Sequence, residues 1–249
     1  MLITQTLEKL KALRLEGMAQ ALEEQRHQND IAPLSFEDRL ALLVERQWLW
    51  RENRSLIARL KNAQFKINAS LEDLDYRPSR GLKRGQIEQL RACPWVKENR
   101  NCLITGPTGC GKTFLACALG AHACREGHRT LYYYAPKFFR ALETARADGS
   151  LSPLLKKLAR SPLVILDDLG IASVPEKLYR EFLEMLDDRQ GQGATLITSQ
   201  FPISQWHEVI ADPTVADAIL DRLVHNAYRL ELKGDSLRKN PTPLAENAH

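Results

Sequence analysis

No apolar run in the sequence is long enough to cross a bilayer: the longest uncharged apolar stretch, Thr113 to Cys124, falls well short of the roughly 20 residues a membrane helix needs. The amino terminus carries no secretory leader pattern, and the two absences together point to a soluble, cytoplasmic protein with no membrane partner. Cysteine is scarce and unpatterned. The five thiols (Cys93, Cys102, Cys110, Cys117 and Cys124) include no C-x-x-C pair and are odd in number, which argues against both a disulfide framework and a zinc site and leaves reduced cysteines as the expectation. No internal repeat is visible. What remains is a globular composition: 249 residues at 44% hydrophobic and 27% charged can bury one sizeable core and a small second domain.

Within that composition one stretch is specific. Gly106, Pro107, Thr108, Gly109, Cys110, Gly111, Lys112 and Thr113 fill every fixed position of G-x-x-x-x-G-K-[ST]. They lie between a short apolar segment, Asn101 to Thr105, that reads as a buried strand and a segment, Phe114 to Arg125, that reads as a helix. Glycines at that turn let backbone N–H groups face inward around a phosphate, and the helix amino terminus adds positive potential. Lys112 can then reach the terminal phosphates and the Thr113 hydroxyl can ligate Mg²⁺. A second apolar run, Leu163 to Leu166, ends in Asp167 and Asp168, as expected of a buried parallel strand that delivers acids to the carboxyl edge of a sheet. Asp167 is the expected Mg²⁺ residue, directly or through water, and Asp168 can polarise the water that attacks the γ-phosphate. Thr198, Ser199 and Gln200 end another strand, where a polar group either senses the γ-phosphate or simply terminates the strand. Asp167 to Gly170 also matches D-x-x-G, but the guanine motif N-K-x-D is absent from the chain, so ATP is preferred.

The rest of the pattern divides in two. Residues 4–28 read as one helix, broken by 29–33. Ser35 to Asp38 opens a longer helix in which Leu42, Leu49, Leu56 and Leu60 share a face. Breakers between Tyr76 and Gly81 mark a linker, and the boundary of a small helical domain is expected near residue 70. From Leu82 strands and helices alternate, the mark of an α/β domain with a parallel sheet covered on both faces. The predicted strands are 101–105, 129–134, 163–167, 194–198 and 227–232; the helices between them include 136–147, 151–160, 175–189, 204–210 and 215–223. The tail 239–249 is expected to be disordered. The net charge of +4 is modest but clustered. Six basic residues between Arg46 and Lys66 face one acid, and seven between Arg77 and Arg100 face two. Either these are solvated helix faces or they meet phosphate backbones.

Taken together, these residues resemble the IstB-like AAA+ ATPases that assist insertion-sequence transposases, a branch sister to the DnaC-type helicase loaders. The resemblance spans nearly the whole chain and rests also on Asp221 to Asn226 and Gly234 to Arg238. It implies a P-loop AAA+ ATPase domain over 71–238 behind an all-helical, DNA- or partner-binding domain over 1–70. It also implies an ATPase with ATP and Mg²⁺ as cofactors, slow and stimulated by DNA and self-assembly. Duplex DNA would be one partner and a transposase another, with a replicative helicase as the alternative, and the subunits would form a ring or helical oligomer. By the same resemblance Gln200 is the sensor, Arg222 a finger that enters a neighbouring subunit's site, Arg238 a second arginine near the phosphates, and 71–82 the adenine-facing linker. Related initiator ATPases place a DNA-facing insertion after the second strand, where Lys137, Arg140 and Arg146 project. A small-molecule kinase and a nucleotide-gated scaffold without turnover stay open as other classes.

Overall fold

The computed structural model describes residues 2–27, 33–210, 212–234 and 236; Arg238 and the tail 239–249 lie outside them. By its contacts the chain divides into two compact units, Met1–Ala58 and Arg59–His249.

The first unit is helical. In place of one helix over 4–28 there are two, α1 (Leu2–Ala12) and α2 (Glu16–His27). The chain turns at Arg14, whose φ of 60° takes the left-handed conformation that closes helices, while Leu13, Arg14 and Leu15 donate backward to the carbonyls of Lys9, Lys11 and Leu10. No glycine or proline announces that break. The third helix, α3 (Phe36–Ala63), begins at the predicted cap: Ser35 Oγ accepts from the Asp38 backbone at 3.1 Å and donates to its carboxylate at 2.7 Å. Its buried face is not the predicted leucine row, because Leu42 and Leu49 remain 49% and 43% exposed. Polar side chains on α2 and α3 make the crossing instead. Met18 N–H donates to the buried Gln47 side chain at 3.2 Å, and Gln25 donates to the Arg39 carbonyl at 3.2 Å.

The second unit holds the sheet. Its strands are β1 (Asn101–Thr105), β2 (Thr130–Tyr134), β3 (Leu163–Leu169), β4 (Ala194–Ser199) and β5 (Ala227–Glu231), all parallel, in the order β2-β3-β4-β1-β5. Alternate residues of β1 feed opposite cores: Cys102 and Ile104 join one with α4 (Arg84–Arg91), α5 (Pro94–Lys97) and α6 (Lys112–Arg125), whereas Leu103 joins the other. That second core is closed by α7 (Ala135–Ala147), α8 (Leu151–Ala159), α9 (Glu176–Arg189), α10 (Trp206–Val209) and α11 (Pro213–Val224). Burial on both faces explains the unbroken apolar strands. The helix predicted at 204–210 is a 3-10 turn followed by the four-residue α10. The short helices α4 and α5 lay hidden within the basic stretch. No helix among the described residues is long and apolar enough to cross a membrane.

Strand order positions the chemistry. Because β4 lies between β1 and β3, the carboxyl ends of these three strands bring the glycine loop, the aspartate pair and the polar end of β4 to one edge.

Candidate functional site

The glycine loop connects β1 to α6, and its geometry explains its composition. Gly106 has φ 146°, and a Cβ there would sit 2.3 Å from the Leu232 carbonyl oxygen, so only glycine lets the segment after β5 close over the loop. Gly109 and Gly111 also have positive φ, and Gly111 forms the amino cap of α6. Lys112, 5% exposed, folds over its own loop: Nζ donates to the Gly106 and Pro107 carbonyls at 2.8 Å each. The Thr108 hydroxyl donates to Gln200 Oε1 at 2.8 Å, spanning the mouth between the loop and the end of β4. Cys110 is buried and its thiol is pushed up by that burial.

Asp167 is the centre of the site. Its carboxylate is fully buried and accepts three hydroxyls: Thr113 at 2.9 and 3.1 Å, Tyr132 at 2.7 Å and Thr198 at 2.6 Å. Burial, then the charge of Asp167, pushes the Tyr132 phenol up, so it stays protonated and donates. No ion pair among the described residues neutralises Asp167. A buried carboxylate compensated by neutral donors, with the Thr113 oxygen 2.9 Å away, fits a hard divalent cation such as Mg²⁺. Among the described residues no cluster of three or more His, Cys, Asp or Glu could hold a metal alone, so such an ion would take its remaining ligands from phosphate and water.

Asp168 lies one residue on, at φ 63°, where the β3–β4 register shifts between Leu166 and Leu169. Its backbone N–H donates to Thr198 Oγ1 at 2.8 Å. Lys66 Nζ lies 3.9 Å from the Asp168 carboxylate and 4.9 Å from the centre of the Tyr134 ring. Sequence reasoning missed Tyr132 and Lys66. Neither lies in a motif: the register sets Tyr134 opposite Asp167, yet it is the hydroxyl of Tyr132, opposite Ile165, that reaches the carboxylate.

Arg222 stands elsewhere. Its carbonyl accepts from Asn101 Nδ2 at 2.9 Å, and Asn101 opens β1, so Arg222 belongs to the amino edge of the sheet. The length of β1, roughly 13 Å at about 3.3 Å per residue, separates that edge from the glycine loop. Its guanidinium pairs with Asp187 and donates to the Ala218 carbonyl at 3.0 Å; the acid it meets is thus on α9 and is not the adjacent Asp221. The candidate Arg238 lies outside the described residues.

The two basic stretches differ. Between Arg77 and Arg100 most cations are engaged within the chain. Arg77 and Arg80 pair with Asp75, Arg91 with Glu72 and Glu88, and Arg100 with Glu98, while Arg84 stacks on Tyr76. Arg146 pairs with the buried Glu181 at 2.6 Å, whereas Lys137 and Arg140 on the same helix are exposed. On α3, Arg51 and Arg54 are exposed one turn apart.

Comparison with known proteins places this geometry. The chain is 47% identical over 240 residues to a Sinorhizobium fredii protein named as an insertion sequence ATP-binding protein, spanning 96% of this chain and 98% of that one. A Pseudomonas aeruginosa protein named for insertion sequence IS21 is 29% identical, with 96% and 94% covered. Among solved structures, DnaI matches at TM-score 0.57 and 25% identity over 67% of this chain and 92% of its own. AMPPCP-bound DnaA from Aquifex aeolicus shares the fold at TM-score 0.58 and 19% identity, over 74% and 58%. Residues 8–245 match the family described as IstB-like ATP binding protein. With the glycine loop, the buried aspartate and the five-stranded AAA+ sheet in place, the chain belongs to the IstB-like ATP binding protein family.

Proposed function

We propose that the protein binds ATP with Mg²⁺ and hydrolyses it while assembling on duplex DNA, and that it thereby helps a transposase select or activate target DNA. The observation that carries the nucleotide half is the buried Asp167 carboxylate, held by hydroxyls alone and facing Thr113 beside the glycine loop. Lys112 exchanges the two carbonyls that now hold it for the β- and γ-phosphate oxygens, and the loop N–H groups and the amino terminus of α6 take the rest of the charge. Thr113 and Asp167 would hold Mg²⁺, which would supply positive charge against the triphosphate. Tyr132 and Thr198 keep the Asp167 carboxylate oriented. Asp168 orients the attacking water, and Gln200 exchanges its Thr108 partner for the γ-phosphate or that water.

Arg222 lies farther from its own loop than an arginine side chain can reach, which supports a role in a neighbouring subunit's site. Head-to-tail contacts of that kind build rings or open helices. Exposed Arg51 and Arg54 support phosphate contact by the first basic stretch. A helicase loader is the alternative reading; the near full-length identity to insertion-sequence proteins favours the transposase.

The test measures nucleotide binding and phosphate release side by side. Lys112→Ala should lose ATP binding, whereas Asp168→Asn should keep it and stop turnover. Equal loss of affinity in both variants would defeat these roles. A wild-type protein that stays monomeric and keeps the same rate with duplex DNA would defeat the assembly half.

A further inference from the structure

The helical unit buries a polar atom that its own chain does not satisfy. Gln25 on α2 is 8% exposed, and its amide donates to the Arg39 carbonyl at 3.2 Å, which fixes the orientation of the side chain. Its Oε1 accepts no hydrogen bond among the described residues. An acceptor buried in that state loses its bonds to water with no replacement, and such atoms call for something else that completes them. The same Gln25 lines a groove of about 280 Å³ between α2 and α3. Ala21, Leu42 and Leu49 give the groove aliphatic walls, and its two leucines are the ones that folding leaves half-exposed.

Charge selects the occupant. Glu24 and Glu45 line the groove, and the one cation that lines it among the described residues, Arg46, is already paired with Glu24. Glu45 is exposed and joins no ion pair among the described residues. A group that donates to Oε1 and balances a carboxylate at the end of an aliphatic stem is the ammonium or guanidinium of Lys or Arg. The volume lies below the roughly 300–1,000 Å³ of small-molecule pockets and suits one such side chain. Carboxylates repel duplex phosphates, and the cation assigned to DNA leaves α3 on its other side: Arg51 follows Leu42 by nine residues, about two and a half turns, and so projects oppositely. A second copy docked by twofold symmetry would set the acids against their own counterparts. We propose that this groove receives a lysine or arginine side chain of a different protein, held by Gln25 Oε1 and Glu45, so that the helical unit carries a protein-docking face opposite its basic one.

The experiment follows leucine methyl and glutamine side-chain amide resonances of the full-length protein by NMR, without nucleotide, as n-butylammonium is added to mimic a lysine side chain. Parallel titrations use n-butanol and duplex DNA. The Leu42 and Leu49 methyls and the Gln25 amide should shift together and saturate with a Kd on the order of millimolar, as so small a ligand allows, and n-butanol should bind at least about tenfold more weakly. Glu45→Gln, at an exposed position where no packing is lost, should weaken binding about two- to fivefold. Gln25→Met should weaken it about tenfold or more with far-UV circular dichroism unchanged, and Arg51→Ala should bind as wild type. Absence of a saturating shift, equal binding of n-butanol, or wild-type affinity in either groove variant overturns the proposal. Displacement of n-butylammonium by duplex DNA would overturn it by making this the nucleic-acid face, and shifts of the same methyls on dilution would overturn it by showing a second copy in the groove. None of these readings involves ATP turnover, so a failure of the nucleotide roles leaves them unchanged.

Discussion

Removing one hydroxyl should reveal how much the molecule invests in Asp167. Tyr132→Phe keeps the ring, including its edge contact with Phe65, and deletes only the oxygen that donates to Asp167 at 2.7 Å. The acceptor is a fully buried carboxylate, and hydrogen bonds to charged groups contribute about 1.5–3 kcal/mol, roughly twice a neutral one. Water cannot replace the lost donor at a position with no exposure, so the full loss should appear in stability. At about 2–4 °C per kcal/mol for a unit of this size, the melting temperature should fall by roughly 3–12 °C. Thermal melts and urea titrations of both proteins measure it, with an unchanged urea slope as the sign that the fold is intact. A cycle with Asp167→Asn isolates the cause: with a neutral acceptor, Tyr132→Phe should cost only about 0.5–1.5 kcal/mol. The reasoning fails if Tyr132→Phe melts with wild type, or if its cost is the same in the Asp167→Asn background.

Arg222→Ala should bind ATP normally and lose turnover by about a thousandfold or more, and mixing it with Lys112→Ala should restore activity. If turnover per subunit is independent of protein concentration and no mixture shows rescue, Arg222 serves only its pair with Asp187. Burial pushes the Cys93 thiol up to about 11 and Cys102 up to about 12, and raises Cys110, Cys117 and Cys124 as well. Because the thiolate fraction near pH 8 then falls, iodoacetamide should label Cys93 and Cys102 of the folded protein at least about a hundredfold more slowly than in guanidinium, and rapid labelling of Cys110 would show that the loop opens. In salt titrations of duplex binding, Arg51→Ala and Arg54→Ala should each lower the log–log slope by about one. Arg91→Ala, whose cation already faces Glu72 and Glu88, should leave the slope unchanged, and the opposite ranking would move the DNA surface to the second basic stretch.

Local pattern carried much of this molecule. The glycine loop, its strand and helix, and the apolar run that ends in Asp167 are contiguous, so sterics and periodicity within about ten residues determine them. The same holds for the parallel sheet, because strands buried on both faces read as unbroken apolar segments. The break at Arg14 was not legible, since a left-handed residue there replaces the glycine that would have marked it. Nor was the buried face of α3, where Gln47 is buried and hydrogen-bonded to α2 while Leu42 and Leu49 stay exposed. Charge was the least legible property of all. Counting cations between Arg77 and Arg100 suggested a patch, yet Asp75, Glu72, Glu88 and Glu98 take most of them up once the chain folds. Only the tertiary structure decided that Arg222 stands at the opposite edge from its own loop, that Tyr132 and not its neighbours meets Asp167, and that Lys66 reaches Asp168 across 102 positions of sequence. Motifs record what adjacent residues must do together, whereas these contacts are made by strand register and by packing between segments far apart in the chain, where no local spacing constrains the pair.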